Sequence, residues 1–284
     1  MRPGHPAGAP ASPCMRRPVC GRLTAMQPVD EPELTPQLIR DRYQRVLSRL
    51  RGVAAEAGRA PDGFRVVAVT KGFGPQVVQA AAAAGLTTFG ENRVQEATEK
   101  VAAAPDADWH LIGHLQSNKV RPALRLFGTI HSVDSLDLLE RIERIAHDDG
   151  HRPRLLLQLN VAPGPHRFGF ERGWFATQVR APAGPLAEAL AALRHAQVVG
   201  LMAMASLDGG DGGDGGGGDP GREGPAAQFA EVRRLRDELQ ESSGMPLPEL
   251  SMGMTADADT GVREGATLVR IGTALFGPRP DHHR

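Results

Sequence analysis

Short apolar, β-branched segments alternating with helix-period segments predict an α/β protein with parallel strands. About eight such units over about 240 residues predict one closed, TIM-like (β/α)8 barrel rather than an open sheet. A third observation sets the start. Leu38, Ile39, Val46, Leu47 and Leu50 recur at helical spacing before the first strand, so the barrel carries an extra N-terminal helix.

The first strand is Arg65–Thr70, read from its β-branched alternation and ended by Gly72-Phe73-Gly74-Pro75. The alanine-rich helix Gln76–Ala84 follows and stops at Gly85. Thr87–Phe89 is a short strand ending in Gly90-Glu91-Asn92, and Val94–Ala103 is helical. Trp109–Ile112 is the third strand, followed by helix Lys119–Phe127; Thr129–Ser132 is the fourth. Helix Ser135–His147 shows an apolar face at Leu136, Leu139, Ile142 and Ile145. Leu155–Val161 is a strand, Leu186–His195 is helical, and Val198–Met202 is strand six. Ala226–Glu241 is a charged amphipathic helix; strand Leu250–Met252, helix Ala258–Gly265 and strand Thr267–Ile271 complete the series.

Residues 1–33 read as a disordered tail and residues 34–280 as the barrel. A flexible loop is expected over 208–225, where the run Gly209–Gly221 is almost all Gly and Asp. Its aspartates lack the ligand spacing of a calcium loop. Met26 offers an alternative start to the chain.

Hydrophobic residues make up 40% and charged residues 23%, and Lys+Arg equals Asp+Glu at 33 each. A balanced charge sets up no field that favours nucleic acid or acidic membranes. Every apolar run is broken well short of the roughly 18 residues of a membrane span. Both cysteines, Cys14 and Cys20, fall in the tail, outside any periodic segment, which argues against a disulfide framework and fits a reducing cytoplasm.

In a β/α barrel the residues just after each strand converge on one face. Lys71 stands there at the end of strand one. Burial disfavours an ammonium and so makes a usable nucleophile, the group a Schiff base requires. A strand-end lysine that only extends into solvent fits the same position. Two late turns, Ser251-Met252-Gly253-Met254-Thr255 and Arg270-Ile271-Gly272-Thr273, resemble phosphate sites built from backbone N–H groups. Thr255 is also a candidate N-cap of the helix that follows. Either turn alone is equally well read as a tight turn. Together, opposite a lysine, they point to an aldehyde that carries a phosphate, and pyridoxal 5′-phosphate (PLP) has both groups. Arg270 would then set a permanent charge near the ring nitrogen, weakening the ring as an electron sink. Its alternative is an ion pair with Glu264 or Asp257. His110, His114 and His131 are candidates for acid/base work or for packing, because no triad or metal spacing links them.

Longer motifs narrow the choice. Val69-Thr70-Lys71, Phe89-Gly90-Glu91-Asn92-Arg93-Val94-Gln95-Glu96 and Trp109-His110-Leu111-Ile112-Gly113-His114-Leu115-Gln116-Ser117-Asn118-Lys119 resemble the pyridoxal phosphate homeostasis proteins. So do Gly200-Leu201-Met202-Ala203-Met204, Leu250-Ser251-Met252-Gly253-Met254-Thr255 and Val269-Arg270-Ile271-Gly272-Thr273-Ala274-Leu275-Phe276-Gly277. The resemblance implies a barrel like the N-terminal domain of alanine racemase, with Lys71 holding PLP as a reversible Schiff base. It also implies that Asn92 and Met202 lie beside the cofactor and that Arg270 faces the pyridine nitrogen. Ser251, Thr255, Gly272 and Thr273 would form the phosphate region, with Met254 a further cofactor-binding position. The family commonly has serine where this chain has Thr255, and threonine keeps the hydroxyl.

The implied role is intracellular PLP (vitamin B6) homeostasis without catalytic turnover, with PLP-dependent apo-enzymes as the acceptors. A racemase-like PLP enzyme is the alternative, but two-base racemisation needs a second proton carrier, and the one tyrosine, Tyr43, falls in the first helix. A Schiff-base aldolase is a further rival, using a barrel lysine without a cofactor.

Overall fold

In the computed structural model, residues 34–161, 168–181, 183–206 and 223–279 are described, together with Met1. The expected tail at 1–33 and nearly all of the loop at 208–225 lie outside them.

Helix α1 (Pro36–Glu56) precedes the barrel, as the apolar spacing predicts. Thr35 caps it through a hydrogen bond accepted from the Leu38 N–H, and Pro36 sits where a missing N–H costs nothing. Strand β1 (Arg65–Val69), helix α2 (Pro75–Ala83), strand β2 (Thr88–Glu91), helix α3 (Val94–Ala103) and strand β3 (Asp108–Leu111) follow in the expected order. The helix expected over Lys119–Phe127 is instead a 3-10 turn (Ser117–Lys119) and a short α4 (Val120–Leu124). Pro122 removes an N–H within it, which suits a first turn but not a long helix. Then come β4 (Thr129–Val133), α5 (Leu136–Asp149) and β5 (Arg154–Asn160).

A two-residue strand β6 (Phe170–Glu171) and helix α6 (Arg172–Val179) were not expected. Helix α7 (Pro185–Ala192), β7 (Gln197–Ala203), α8 (Pro225–Ser243), β8 (Glu249–Met254), α9 (Ala258–Arg263), β9 (Leu268–Ile271) and α10 (Thr273–Phe276) complete the chain.

All strand pairs are parallel. The order β4-β3-β2-β1-β9-β8-β7-β5 closes through β4–β5, giving an eight-stranded (β/α)8 barrel. β6 adds to the end of β5, Leu159 opposite Phe170 and Asn160 opposite Glu171, above the point where β4 shifts register.

Alternation along each strand divides the side chains between two regions. Val66, Ala68, Trp109, Leu111, Leu250, Met252, Val269 and Ile271 face the helices in the larger core. Inside the barrel the apolar set is small: Val67, Leu156, Val199, Met202 and Leu268. Polar groups occupy the rest. At the N-terminal mouth Glu249 accepts from Arg65 at 2.5 Å, Arg154 at 2.7 Å and Thr267 at 2.6 Å. None of the described helices is long and apolar enough to cross a membrane.

Candidate functional site

Lys71 follows β1 at the C-terminal mouth and is half-buried. Burial, then the guanidinium groups of Arg279 and Arg270, push its ammonium below the ordinary value of 10.5, with Glu91 opposing them. The backbone it projects from is held by a buried ion pair. Lys100 Nζ lies 2.5 Å from Glu91 Oε1 and donates to the Thr70 carbonyl at 2.9 Å. The Thr70 hydroxyl donates to the same Glu91 oxygen at 2.6 Å. Glu91 Oε2 is buried with no partner among the described residues.

Arg270 projects inward from β9 and is only 4% exposed. Its Nη1 donates to the Ser251 carbonyl at 2.8 Å and also to the Ser251 hydroxyl; Nη2 donates to the Ala203 carbonyl at 2.9 Å. Burial lowers its pKa to about 10, so it remains a cation at neutral pH, and the Asp257 carboxylate works against that shift. The ion pair left open by the sequence does not form. Glu264 pairs with Arg233 at 3.2 Å, and Asp257 Oδ1 accepts from the Met254 N–H at 2.6 Å. A guanidinium carries five N–H donors. Nε–H and one Nη2–H of Arg270 therefore have no acceptor among the described residues.

Ser251, which Arg270 contacts, is buried, as is Met202, its register partner on β7. The turn after β8 runs through Gly253, at φ 86°, to the partly exposed Met254 and Thr255. Asp257, not Thr255, is the N-cap of α9, and its carboxylate turns back to Met254 rather than to the helix. That corrects the expected capping role of Thr255. The local aspartate takes the position and leaves the Thr255 hydroxyl clear of it. Gly272 caps α10, and a Cβ built on it would lie 3.3 Å from the Val69 carbonyl, which sets this turn beside the end of β1. Thr273 is exposed. Asn92 follows β2 with its backbone against Gly113, where an added Cβ would fall 2.2 Å from the Asn92 carbonyl. Gly90 is closely packed: a Cβ there would meet Val67 Cγ1 at 2.9 Å and Ile112 Cδ1 at 3.2 Å, so the position has no room for a side chain.

Three histidines resolve into two arrangements. His114 Nδ1 pairs with Asp134 at 3.0 Å, and its ring stacks on Phe168 with centroids 3.6 Å apart. His110 and His131 are fully buried and bonded to each other at 2.8 Å. Sequence spacing could not connect them, because they lie on different strands. The available signal was that Asp108, His110, Ser251 and Arg270 occupy the same face of their strands by alternation. Among the described residues no group of His, Cys, Asp or Glu could hold a metal ion.

A closed parallel barrel with a strand-one lysine and a strand-end arginine defines a class, and residues 44–280 match the family model described as "Alanine racemase, N-terminal domain". The chain is 34% identical to a pyridoxal phosphate homeostasis protein of Aquifex aeolicus, covering 84% of this chain and 97% of that protein. It is 39% identical to the Pseudomonas aeruginosa protein of the same name, covering 85% and 96%. Among solved structures it is similar to PipY of Synechococcus elongatus, with 36% identity, TM-score 0.68 and coverage of 84% of this chain and 100% of that one. A second PipY structure, with PLP bound, has TM-score 0.66. The chain belongs to the pyridoxal phosphate homeostasis protein family.

Proposed function

We propose that this chain binds PLP reversibly through a Schiff base on Lys71 and serves PLP homeostasis without turnover. When bound, PLP supplies an aldehyde that condenses with amines and a ring that accepts electron density. The observation that carries the reading is Arg270. It is a buried cation with N–H donors to spare, where an enzyme that needs a strong electron sink would place a carboxylate.

The donor chemistry fits. A guanidinium cannot act as an acceptor, so it matches an unprotonated ring nitrogen and opposes a protonated one. The lowered Lys71 ammonium supplies a larger neutral fraction for condensation than a free lysine does. Asn92 directly follows β2 and Met202 lies near the end of β7, so both stand toward this mouth. Met254, Thr255, Gly272 and Thr273 flank the turns on which a phosphate would rest, beside Ser251. PipY with bound PLP supports the assignment through relatedness. Handing PLP to apo-enzymes is part of the same proposal.

The test is intact mass after incubation with PLP and borohydride, followed by peptide mapping. One phosphopyridoxyl group on the Lys71 peptide is expected, lost in Lys71→Ala together with the cofactor absorbance. Modification elsewhere with Lys71 untouched would overturn the assignment. Incubating the loaded protein with L-alanine should give no racemisation or transamination above that of free PLP. Sustained turnover would favour the enzyme reading.

A further inference from the structure

A chain of hydrogen bonds crosses the barrel interior. At the N-terminal mouth Asp108 Oδ2 lies 2.9 Å from His110 Nε2. His110 Nδ1 lies 2.8 Å from His131 Nε2, and His131 Nδ1 lies 2.8 Å from the Ser251 hydroxyl. That hydroxyl accepts from Arg270. His110, His131 and Ser251 are fully buried, whereas the Asp108 side chain is 39% exposed.

With both rings neutral, the acceptor end at Asp108 dictates the direction of every bond in the chain, and the donor end at Arg270 agrees with it. Arg270 can only donate, and an ionised Asp108 can only accept. The hydrogen bond from His110, chiefly, holds the Asp108 carboxyl below its usual range, so it is ionised at neutral pH. His110 therefore carries hydrogen on Nε2, and its Nδ1, if the ring is neutral, accepts from His131 Nε2–H. His131 Nδ1 then accepts from the Ser251 hydroxyl. All four bonds point the same way, from Arg270 toward Asp108. Burial chiefly disfavours a protonated His131; Arg270, Arg154 and Arg65 add to it, as does His110 whenever that ring is protonated. Asp108 in turn faces Arg65 at 3.9 Å and feels Arg154, both of which Glu249 also engages.

We propose that Asp108, His110 and His131 are positioning residues for Arg270, forming with Ser251 a one-directional chain that couples the barrel's N-terminal mouth to the ring-nitrogen side of the cofactor site. The coupling rests on the reading that Arg270 faces the cofactor ring. The chain itself does not. Hydrogen bonds in series polarise one another in a low-dielectric interior, so a charge at one end is felt at the other. A single buried arginine held by backbone carbonyls would need none of these residues.

The first measurement uses the protein without PLP. Long-range proton–nitrogen correlation on histidine-labelled protein at pH 7 should find His110 and His131 both neutral, with hydrogen on Nε2. An Nδ1–H tautomer, or a charged ring, at either residue overturns the chain. The second uses PLP-loaded protein and the Asp108→Asn variant, which keeps an acceptor for His110 while removing the charge. Losing a negative charge disfavours the protonated form of the bound cofactor, so the pH midpoint of its absorbance should move down. The exposed control Asp62→Asn should not move it. An unmoved midpoint in Asp108→Asn overturns the coupling. Absence of any cofactor band in the wild type would refute the cofactor reading and the coupling with it, while the tautomers still decide the chain.

Discussion

Lys71 and Arg270 were both legible as strand-end residues, since a parallel barrel delivers such positions to one mouth. The residues that tune them were not. Arg279 lies outside every strand, yet its side chain runs against Gly72, where a built Cβ would be 3.1 Å from Arg279 Cδ. Its charge is one cause of the lowered Lys71 ammonium. Arg279→Ala should therefore raise the Lys71 pKa and slow PLP capture at pH 7 roughly twofold, on the scale of the about 0.5 kcal/mol that an exposed charge contributes. Stopped-flow absorbance from pH 7 to 10 checks this; identical pH–rate curves for variant and wild type would exclude it. His110 and His131 were hidden for a related reason. Each is a lone histidine in its strand, and only barrel closure brings Asp108, His131 and Ser251 into one line.

At the scale of elements, the eight barrel strands could be read because their outward faces alternate with the inward ones under a helical layer. What escaped lacks that periodicity. β6 is two residues long and α10 four, too short for any period to register. α6 begins on Arg172 and is capped by Glu171, whose carboxylate accepts from the Gly173 and Trp174 N–H groups at 2.8 and 2.5 Å. Glycine and aromatic residues crowd that stretch, and they read as loop rather than helix. Strand pairing also imposes a limit that no pattern reveals. Gly200 on β7 lies opposite Glu249 on β8, and a Cβ there would fall 1.8 Å from the Glu249 carbonyl. Gly200→Ala should thus destabilise the fold by about 3 kcal/mol or more, since backbone cannot yield as a flexible side chain can. Urea unfolding would show it as a lower midpoint; an unchanged midpoint would mean that the two strands are not packed this closely.

For the whole molecule, the buried chain makes stability depend on pH. The His131 pKa in the folded protein lies well below 6.5. Its contribution is therefore fully present above pH 6.5 and is lost as pH falls below it, because the unfolded chain then binds a proton that the folded chain refuses. The expected slope from this one group is about 1.4 kcal/mol per pH unit. Unfolding free energies at pH 7, 6 and 5 should fall less steeply in His131→Gln than in the wild type, and parallel slopes would count against the buried neutral ring. The same geometry has a wider consequence. Inside the barrel Val67, Leu156, Val199, Met202 and Leu268 form one apolar cluster, with an ionic group around Glu249 at one mouth and the Arg270 guanidinium toward the other. An apolar interior screens charge weakly, so the groups at the two ends feel each other more than they would across water. A substitution that admitted water among these five side chains would therefore weaken the interaction between the ends even with both histidines in place.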